Sequence, residues 1–175
     1  MKSFISPALF LLLVLTFPTA TYSTPQTTTL EPGTPVEQTI TGGETHAFVL
    51  TLAPGTYGLI ELEQKGINLS LAVSADGQQT RTANHVGAGL PERLYLIAEG
   101  ATQYRVEVGV AETITRRGSY TITLKDVHPA TDQDKSRVEA EKLSEIALQL
   151  LRQNTPAARG EAEDIGFYYF DVKKR

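Results

Sequence analysis

The chain of 175 residues contains no cysteine, and this absence removes several classes of structure at once. It excludes disulfide bonds, thiol catalysis, cysteine metal sites and a bacterial lipid anchor on an N-terminal cysteine. An exported protein of this composition must therefore be held together by its hydrophobic core alone.

The sequence also lacks a basic stretch. It has 16 basic and 20 acidic residues, a net charge of −4 at pH 7, and the charges are scattered along the chain. Nucleic-acid binding needs a basic surface that neutralises phosphates. Nucleic acid is therefore not a predicted partner.

Long apolar runs are absent outside the N-terminus. Residues 1–23 begin with Met1 and Lys2, continue with an apolar run centred on residues 8–15, and end in small residues up to Ser23. This pattern is typical of a cleaved secretory signal peptide, because a membrane-spanning helix needs about 20 apolar residues. We expect a secreted or periplasmic protein with no stable membrane anchor once the leader is removed. Residues 24–35 are rich in Thr and Pro, which predicts a flexible linker.

Residues 36–127 are built from short runs in which apolar and polar residues alternate between turns. Period-two alternation predicts half-buried strands, and a spacing of roughly 8–12 residues is typical of a β-sandwich. The predicted strands are 36–40, 45–52, 57–64, 67–74, 79–83, 93–98, 103–110 and 119–125. The polar run 79–83 predicts only a weak edge strand, and Tyr120, Ile122 and Leu124 are predicted to point inward from the last strand. No helical pattern lies between them, which argues against an α/β fold. The prediction is an all-β, antiparallel, jelly-roll-like sandwich of about eight strands.

One amphipathic helix is predicted after the sandwich, over residues 132–153. Thr131 and the acidic residues that follow it are typical of a helix start. Apolar residues then recur at helical spacing and form one stripe that a partner could contact. This possible partner-facing stripe consists of Leu143, Ile146, Ala147, Leu150 and Leu151. The tail, residues 154–175, receives no assignment, and its aromatic run at 167–170 is compatible with a strand or a packing patch.

Several segments together resemble the bacterial pre-peptidase C-terminal (PPC) domain. They are the turn at residues 53–57, the run at 66–71, the Asp-Gly turn at 75–77, the strand at 104–108 and the closing Gly-X-Tyr strand at 118–122. The resemblance implies a small jelly-roll domain of secreted bacterial proteins. In some exported proteins such a domain precedes a linking helix and tetratricopeptide repeats, at times with a caspase-like protease domain. Here neither a repeat pattern nor a protease His/Cys pair is present.

The resemblance also bears on metal binding, because some members of that family hold calcium at acidic loop positions. The position that is often acidic in the third-strand motif is Asn68 here, and Asp76 follows nearby. Calcium requires several oxygen ligands, and no such cage can be assembled from this sequence. No cofactor or metal is predicted.

Candidate catalytic residues are few, and none is predicted to act as one. His46 lies in an alternating strand, His85 in a glycine-rich loop and His128 before a proline. None lies in a sequence typical of nucleophilic catalysis, which needs an oriented imidazole beside a nucleophile. Glu61 and Glu63 share a strand face, and we interpret them as an exposed sheet surface rather than a glycosidase pair.

Three functions stay open at this point. The favoured one is a non-catalytic extracytoplasmic accessory or binding module, whose partner is another protein or a following set of helical repeats. A carbohydrate-binding module would need an exposed row formed by Tyr57, Tyr95 and Tyr104. A small hydrolase would need a pocket that joins His85 to a serine and an acid.

Overall fold

The computed structural model describes residues 27–75, 80–84, 90–100, 103–111 and 116–172, with the backbone alone for 167–172. The predicted leader and the first residues of the predicted linker, 24–26, therefore lie outside the described residues. The strands are β1 (Thr28–Thr29), β2 (Val36–Thr41), β3 (Thr45–Thr51), β4 (Thr56–Lys65), β5 (Leu69–Ser74), β6 (Arg81–Ala83), β7 (Glu92–Ile97), β8 (Gln103–Val110) and β9 (Arg117–Pro129), and the helices are α1 (Asp132–Gln153) and α2 (Pro156–Val172).

The strands form two facing sheets. One has the order β1-β3-β8-β5-β6 and the other the order β2-β9-β4-β7. Except between β5 and β6, consecutive strands lie in different sheets, so the chain repeatedly crosses from one layer to the other. The predicted two-layer, mostly β architecture is confirmed.

The core lies between the sheets and follows the period-two pattern of the sequence. Alternating residues of β5 and β8 are buried, among them Leu69, Leu71, Val106 and Val108. In β9 the side chains predicted to point inward, Tyr120 among them, are buried as expected. Because successive side chains of a strand point to opposite faces, this alternation was sufficient to identify the core face.

Residues 27–35 differ from the predicted flexible linker. Strand β1 pairs in parallel with β3, the Leu30 N–H donates to the Val49 carbonyl, and the Gly33 N–H donates to the Leu124 carbonyl. Leu30 is buried in the core. One buried side chain and several backbone hydrogen bonds therefore hold a segment whose composition is otherwise typical of a linker.

A second difference concerns β4, whose face bearing Glu61 was predicted to be exposed. Only 7% of Glu61 is accessible. Its carboxylate lies 2.8 Å from Arg93 Nε on β7 and 3.0 Å from Lys125 Nζ on β9. The two neighbouring strands thus cover the carboxylate and neutralise it.

The sequence predicted one helix, and the described residues contain two. Helix α1 has the predicted bounds. Asn154 ends it in a left-handed conformation (φ 55°), and the Thr155 hydroxyl then accepts a hydrogen bond from the Ala158 N–H, with Pro156 as the first residue of α2. Threonine before a proline at the first helical position is a helix-start signal. Asn154, Thr155 and Pro156 therefore form both the end of α1 and the start of α2. Helix α2 packs along α1, and the two helices form a helical hairpin.

Candidate functional site

A groove of about 720 Å³ lies between α1 and the sandwich edge formed by β6 and β7. We call it the helix–sandwich groove. Its apolar side includes four side chains at the margin of the core and two of α1: Val73, Leu94, Leu96, Tyr104, Val138 and Ile146. Its charged side chains are Arg81, Glu99, Lys135, Glu139, Lys142, Glu145 and Arg152. The groove therefore joins an apolar floor to a rim of four basic and three acidic side chains.

The N-terminal half of α1 is attached to the sandwich by aromatic and charged contacts. The Arg137 guanidinium of α1 lies 5.5 Å from the centre of the Tyr95 ring on β7. Beside this contact, the ring centres of Tyr57 on β4 and His128 on β9 lie 4.8 Å apart within the sandwich. Burial raises the pKa of the Tyr57 hydroxyl, and hydrogen bonding with Arg137 offsets part of that rise. These contacts set the position of the helix that forms one wall of the groove.

A capping box starts α1 at the same place. The Thr131 hydroxyl accepts a hydrogen bond from the Asp134 N–H, and the Asp134 carboxylate accepts one from the Thr131 N–H. Asp134 also lies 3.8 Å from His128 Nδ1. The hydrogen bond to the Pro129 carbonyl raises the pKa of His128, and the nearby carboxylates contribute further. Protonated His128 therefore favours the attached helix.

Arg81 connects both sheets to α1 at the middle of the groove. Its guanidinium donates to the Tyr95 carbonyl on β7, and its Nη2 lies 3.0 Å from Glu145 Oε1 on α1. The Nε atom is buried and has no hydrogen-bond acceptor within the described ranges. A buried donor without an acceptor is uncommon in folded proteins.

Two cations at the rim, Lys142 and Arg152, are not neutralised by any described residue. Lys135 pairs with Asp132, and Arg81 with Glu145. Within the part of the chain that the structure describes, neither Lys142 nor Arg152 makes an ion pair. The C-terminal half of the α1 wall is therefore basic, although the protein as a whole is acidic.

The predicted partner-facing stripe is divided between two environments. Leu143, Ala147 and Leu150 are half-buried, on the face of α1 roughly opposite its sandwich-facing residues. Helix α2 packs along α1, and its Ala158 and Ala162 are buried. Ile146 and Leu151 are 46% and 50% exposed. Part of the stripe is thus covered within the chain, and two of its large side chains are accessible.

The tyrosines proposed for sugar stacking do not form an exposed row. Tyr57 is 1% and Tyr104 is 3% exposed, and Tyr95 is half-buried beneath Arg137. A carbohydrate-binding surface needs accessible aromatic faces. The structure therefore removes the feature on which the carbohydrate alternative depended.

The histidines occupy separate places. His46 Nδ1 lies 2.7 Å from the Tyr120 hydroxyl, whose pKa burial raises, while His128 belongs to the α1 attachment. His85 lies outside the described residues. Glu61, one residue of the acidic pair considered above, is bonded to two cations. Burial raises the pKa of its carboxyl, but the hydrogen bonds from Lys125 and Arg93 outweigh burial, and the net effect is a lowered pKa. Such a carboxylate is ionised and engaged.

No group of three or more His, Cys, Asp or Glu side chains is placed to hold a metal ion among the described residues. Asp76, considered above for calcium, lies outside those residues. In the same part of the chain, no helix is both long and apolar enough to cross a membrane.

Sequence reasoning did not identify the charged residues of the groove. Arg81 lies in a polar segment that predicted only a weak edge strand, and Lys142 and Arg152 lie on the polar side of α1. Their spacing along α1 places them on one side of the helix, which was an available signal. What the sequence could not show is that this side faces β6 and β7.

The chain resembles several solved structures at low identity. It is similar to the pre-peptidase C-terminal domain of a Bacillus anthracis collagenase, with 14% identity over 61% of this chain and 98% of that chain and a TM-score of 0.46. It is also similar to PliG, a periplasmic lysozyme inhibitor of g-type lysozyme. For PliG of Aeromonas hydrophila the identity is 14% over 58% of this chain and 96% of that chain, with a TM-score of 0.39. For PliG of Salmonella Typhimurium the identity is 13% over 58% of this chain and 100% of that chain, with a TM-score of 0.41.

No protein-family description matches the sequence, and neither does any curated protein. The reported similarities are too weak to transfer a residue role. The function must therefore be argued from the surfaces of this chain.

Proposed function

We propose that this protein is a non-catalytic, exported accessory module that binds a protein partner in the helix–sandwich groove. The observation that carries the proposal is the groove itself. It combines an apolar floor with a rim of polar and charged side chains, and its walls belong to elements that are attached to each other. Preformed concave sites of mixed character are the usual setting of specific binding.

A protein partner suits the groove better than a carbohydrate ligand or the substrate of a hydrolase. The floor consists of aliphatic side chains and a buried tyrosine, so it offers no aromatic platform for sugar rings. The groove contains carboxylates and cations but no described histidine, serine and acid arranged as a nucleophilic site. Burial of apolar side chains within a polar rim is the common anatomy of protein interfaces.

The wider setting belongs to the same proposal. The leader at residues 1–23 would direct the chain out of the cytoplasm. The strand order fits a jelly roll, and the sequence resemblance fits a PPC-like domain. We propose that the module acts in the periplasm or outside the cell, where a fold without cysteine is independent of redox conditions.

A second candidate rests on a different observation, the helical hairpin formed by α1 and α2. Exposed Ile146 and Leu151 would suit the stacking of further helices, as in helical repeat arrays. In this case the module would position a neighbouring helical domain. The two candidates differ in the surface used, because Ile146 lines the groove and Leu151 does not.

Photo-crosslinking in the source cell tests the proposal. A photoreactive amino acid is placed at Gln149 in the groove or, as a control, at exposed Thr51 on the outer face of the β3 sheet. We expect a discrete protein adduct from Gln149 and none from Thr51. The adduct should disappear with Ile146→Asp and persist with Leu151→Asp, a matched change on the same helix.

Equal adducts from both positions, or none from Gln149, would refute groove binding. Loss of the adduct with Leu151→Asp but not with Ile146→Asp would favour the helical-repeat candidate. Circular dichroism of both variants checks that neither change unfolds α1.

A further inference from the structure

We propose that a second copy of this chain pairs with the free edge of β2, so that the two β2 strands run antiparallel in a symmetric dimer. The two four-stranded sheets then join into one continuous sheet. Strands β2 and β7 form opposite edges of each four-stranded sheet, and the helix–sandwich groove lies beside β7. Pairing through β2 therefore leaves the groove free and is separate from the proposed function.

The open edge of β2 consists of Glu37, Gln38 and Thr39, which are all exposed. Strand β2 is the last strand of its sheet and, among the described strands, pairs only with β9. Gln38 lies on the same side of the strand as buried Ile40, yet it is exposed, so the facing sheet does not cover it. Unpaired strand edges are the surfaces to which another strand adds.

The outward main-chain groups of β2 belong to alternate residues. Hydrogen-bonded and non-bonded positions alternate along an antiparallel ladder. The Gly42 N–H donates to the Arg116 carbonyl just beyond the end of β2, in register with the ladder between β2 and β9. The even-numbered residues of β2 therefore bond to β9, and the N–H and C=O groups of Glu37, Thr39 and Thr41 point away from it.

At one end of this edge the outward groups are already satisfied. The Thr41 N–H donates to the Glu44 carboxylate at 2.6 Å, and the Thr41 carbonyl accepts a hydrogen bond from the Glu44 N–H. At the other end Pro35, just before β2, has no N–H to donate. Among the described residues, none bonds to the outward main-chain groups of Glu37 and Thr39. These two residues are therefore the ones with which an added strand would pair.

A second copy satisfies these groups when the two strands are centred on Gln38. Glu37 of each copy then lies opposite Thr39 of the other, and the two residues exchange both of their main-chain hydrogen bonds. Thr41, whose groups are already used, lies opposite Pro35, which has no N–H. The Gln38 side chains face each other, and each amide both donates and accepts hydrogen bonds. Strand β2 is therefore its own complement in this register.

The neighbouring registers are excluded by the same residues. Centring the pair on Glu37 would place two carboxylates directly opposite each other, which is destabilising, and would leave the Thr39 carbonyl facing Pro35. Centring it on Thr39 would place Glu37 opposite Thr41, whose groups are already bonded to Glu44. Glu37 is the only charged side chain of β2, and in the favoured register it faces a threonine hydroxyl. Charge and hydrogen bonding therefore favour a second copy over an unrelated strand.

Disulfide crosslinking tests the register, because the chain has no cysteine of its own. With Gln38→Cys, the two cysteines lie directly opposite each other with Cα atoms about 4.5 Å apart, within the range that a disulfide spans. Glu37→Cys is the matched control on the same strand, because its two copies are offset along the strands and lie more than about 7 Å apart. Under mild oxidation we expect the Gln38→Cys dimer to form at least about tenfold faster than the Glu37→Cys dimer.

Sedimentation velocity over a range of protein concentrations tests the dimer without a crosslink. The wild-type chain should dimerise as its concentration rises. Thr39→Pro removes an outward N–H that the ladder to β9 does not use, so the fold should persist while the dimer is lost. Thr39→Ala keeps that N–H and should dimerise like the wild type. Circular dichroism of both variants checks the fold.

Equal rates of disulfide formation from Gln38→Cys and Glu37→Cys would overturn the register, and a wild-type chain that stays monomeric at every concentration would overturn the dimer. A monomeric chain that crosslinks to a different protein from a photoreactive group at Gln38 in the source cell would also overturn it, and would assign the edge to a foreign strand. The Gln149 adduct should be the same for the wild type and for Thr39→Pro. Failure of the dimer is therefore distinguishable from failure of groove binding.

Discussion

Replacing Gly118 by alanine is expected to destabilise the sandwich strongly. Gly118 pairs with Ile40 near the start of β9, in the Gly-X-Tyr segment of the closing strand. A Cβ atom added there would lie 2.3 Å from Ile67 Cγ2, 2.6 Å from Ile67 Cβ and 2.8 Å from the Lys65 carbonyl oxygen. Carbon atoms pack best at about 3.5–4.0 Å, so the close contacts cannot be accepted without movement.

The magnitude follows from what would have to move. Ile67 is fully buried, and the Lys65 carbonyl is part of the backbone that enters a turn at Gly66 (φ +75°). Overpacking of a core typically costs about 1–3 kcal/mol, and we expect the upper end, about 3 kcal/mol, because neither neighbour can rotate away. For a chain of this length that corresponds to a decrease in Tm of about 6–12 °C.

Thermal and urea unfolding followed by far-ultraviolet circular dichroism measure the effect. Gly160→Ala is the matched control, because no atom lies within 4 Å of the Cβ that it would add on α2. Alanine is favoured over glycine in a helix by up to about 1 kcal/mol, so the control should unfold at the wild-type temperature or above it. If Gly118→Ala unfolded together with the wild type, the packing argument for this strand would be refuted.

Four further changes test polar contacts. Tyr120→Phe removes the hydroxyl bonded to His46 and should lower the unfolding free energy in urea by about 1–2 kcal/mol. Burial raises the pKa of Glu61, but its cationic neighbours lower that pKa by more. The ionised carboxylate therefore stabilises the fold, and this stabilisation is lost as pH falls through the pKa. Glu61→Gln should destabilise the protein at about pH 7 and much less at about pH 3. A backbone carbonyl raises the pKa of His128, so its stabilisation is lost as pH rises through that pKa; His128→Gln should destabilise more at about pH 5.5 than at about pH 8.5. Thr131→Ala removes the capping box and should cost about 1 kcal/mol, with faster amide exchange in the first turn of α1.

For each of these four variants, one result would contradict the contact that the substitution removes. An unchanged urea midpoint for Tyr120→Phe would mean that the hydroxyl is not engaged. A loss for Glu61→Gln that is independent of pH, or a loss for His128→Gln that grows toward high pH, would contradict the assigned charges. Unaltered exchange at the start of α1 after Thr131→Ala would show that the cap does not hold the helix.

Much of the fold could be predicted because its determinants are local. Alternation with period two requires only neighbouring residues, and it identified eight strands and the inward side of β9. Helical spacing and a capping threonine identified α1 with its bounds. Strand β1 and helix α2 were missed because their local signals are weak: Leu30 is one apolar residue in a Thr/Pro-rich segment, and the start of α2 coincides with the end of α1.

The candidate site could not be predicted in the same way, because it is made by residues far apart in the sequence. Arg81 and Glu145 are 64 residues apart and meet only when β6 and α1 are brought together. Glu61, interpreted as exposed, is covered because β7 and β9 place a cation on each side of it.

The sequence by itself determined the alternating strands, their buried faces, the first helix and the absence of crosslinks, since each depends on the order of adjacent residues. Only the tertiary structure decided that Tyr57 and Tyr104 are buried, that α2 covers part of the apolar stripe, and that Lys142 and Arg152 of α1 line a groove beside β6 and β7. The physical reason is that burial and charge pairing depend on the order in which strands and helices stack, and that order comes from the collapse of the whole core rather than from any one segment.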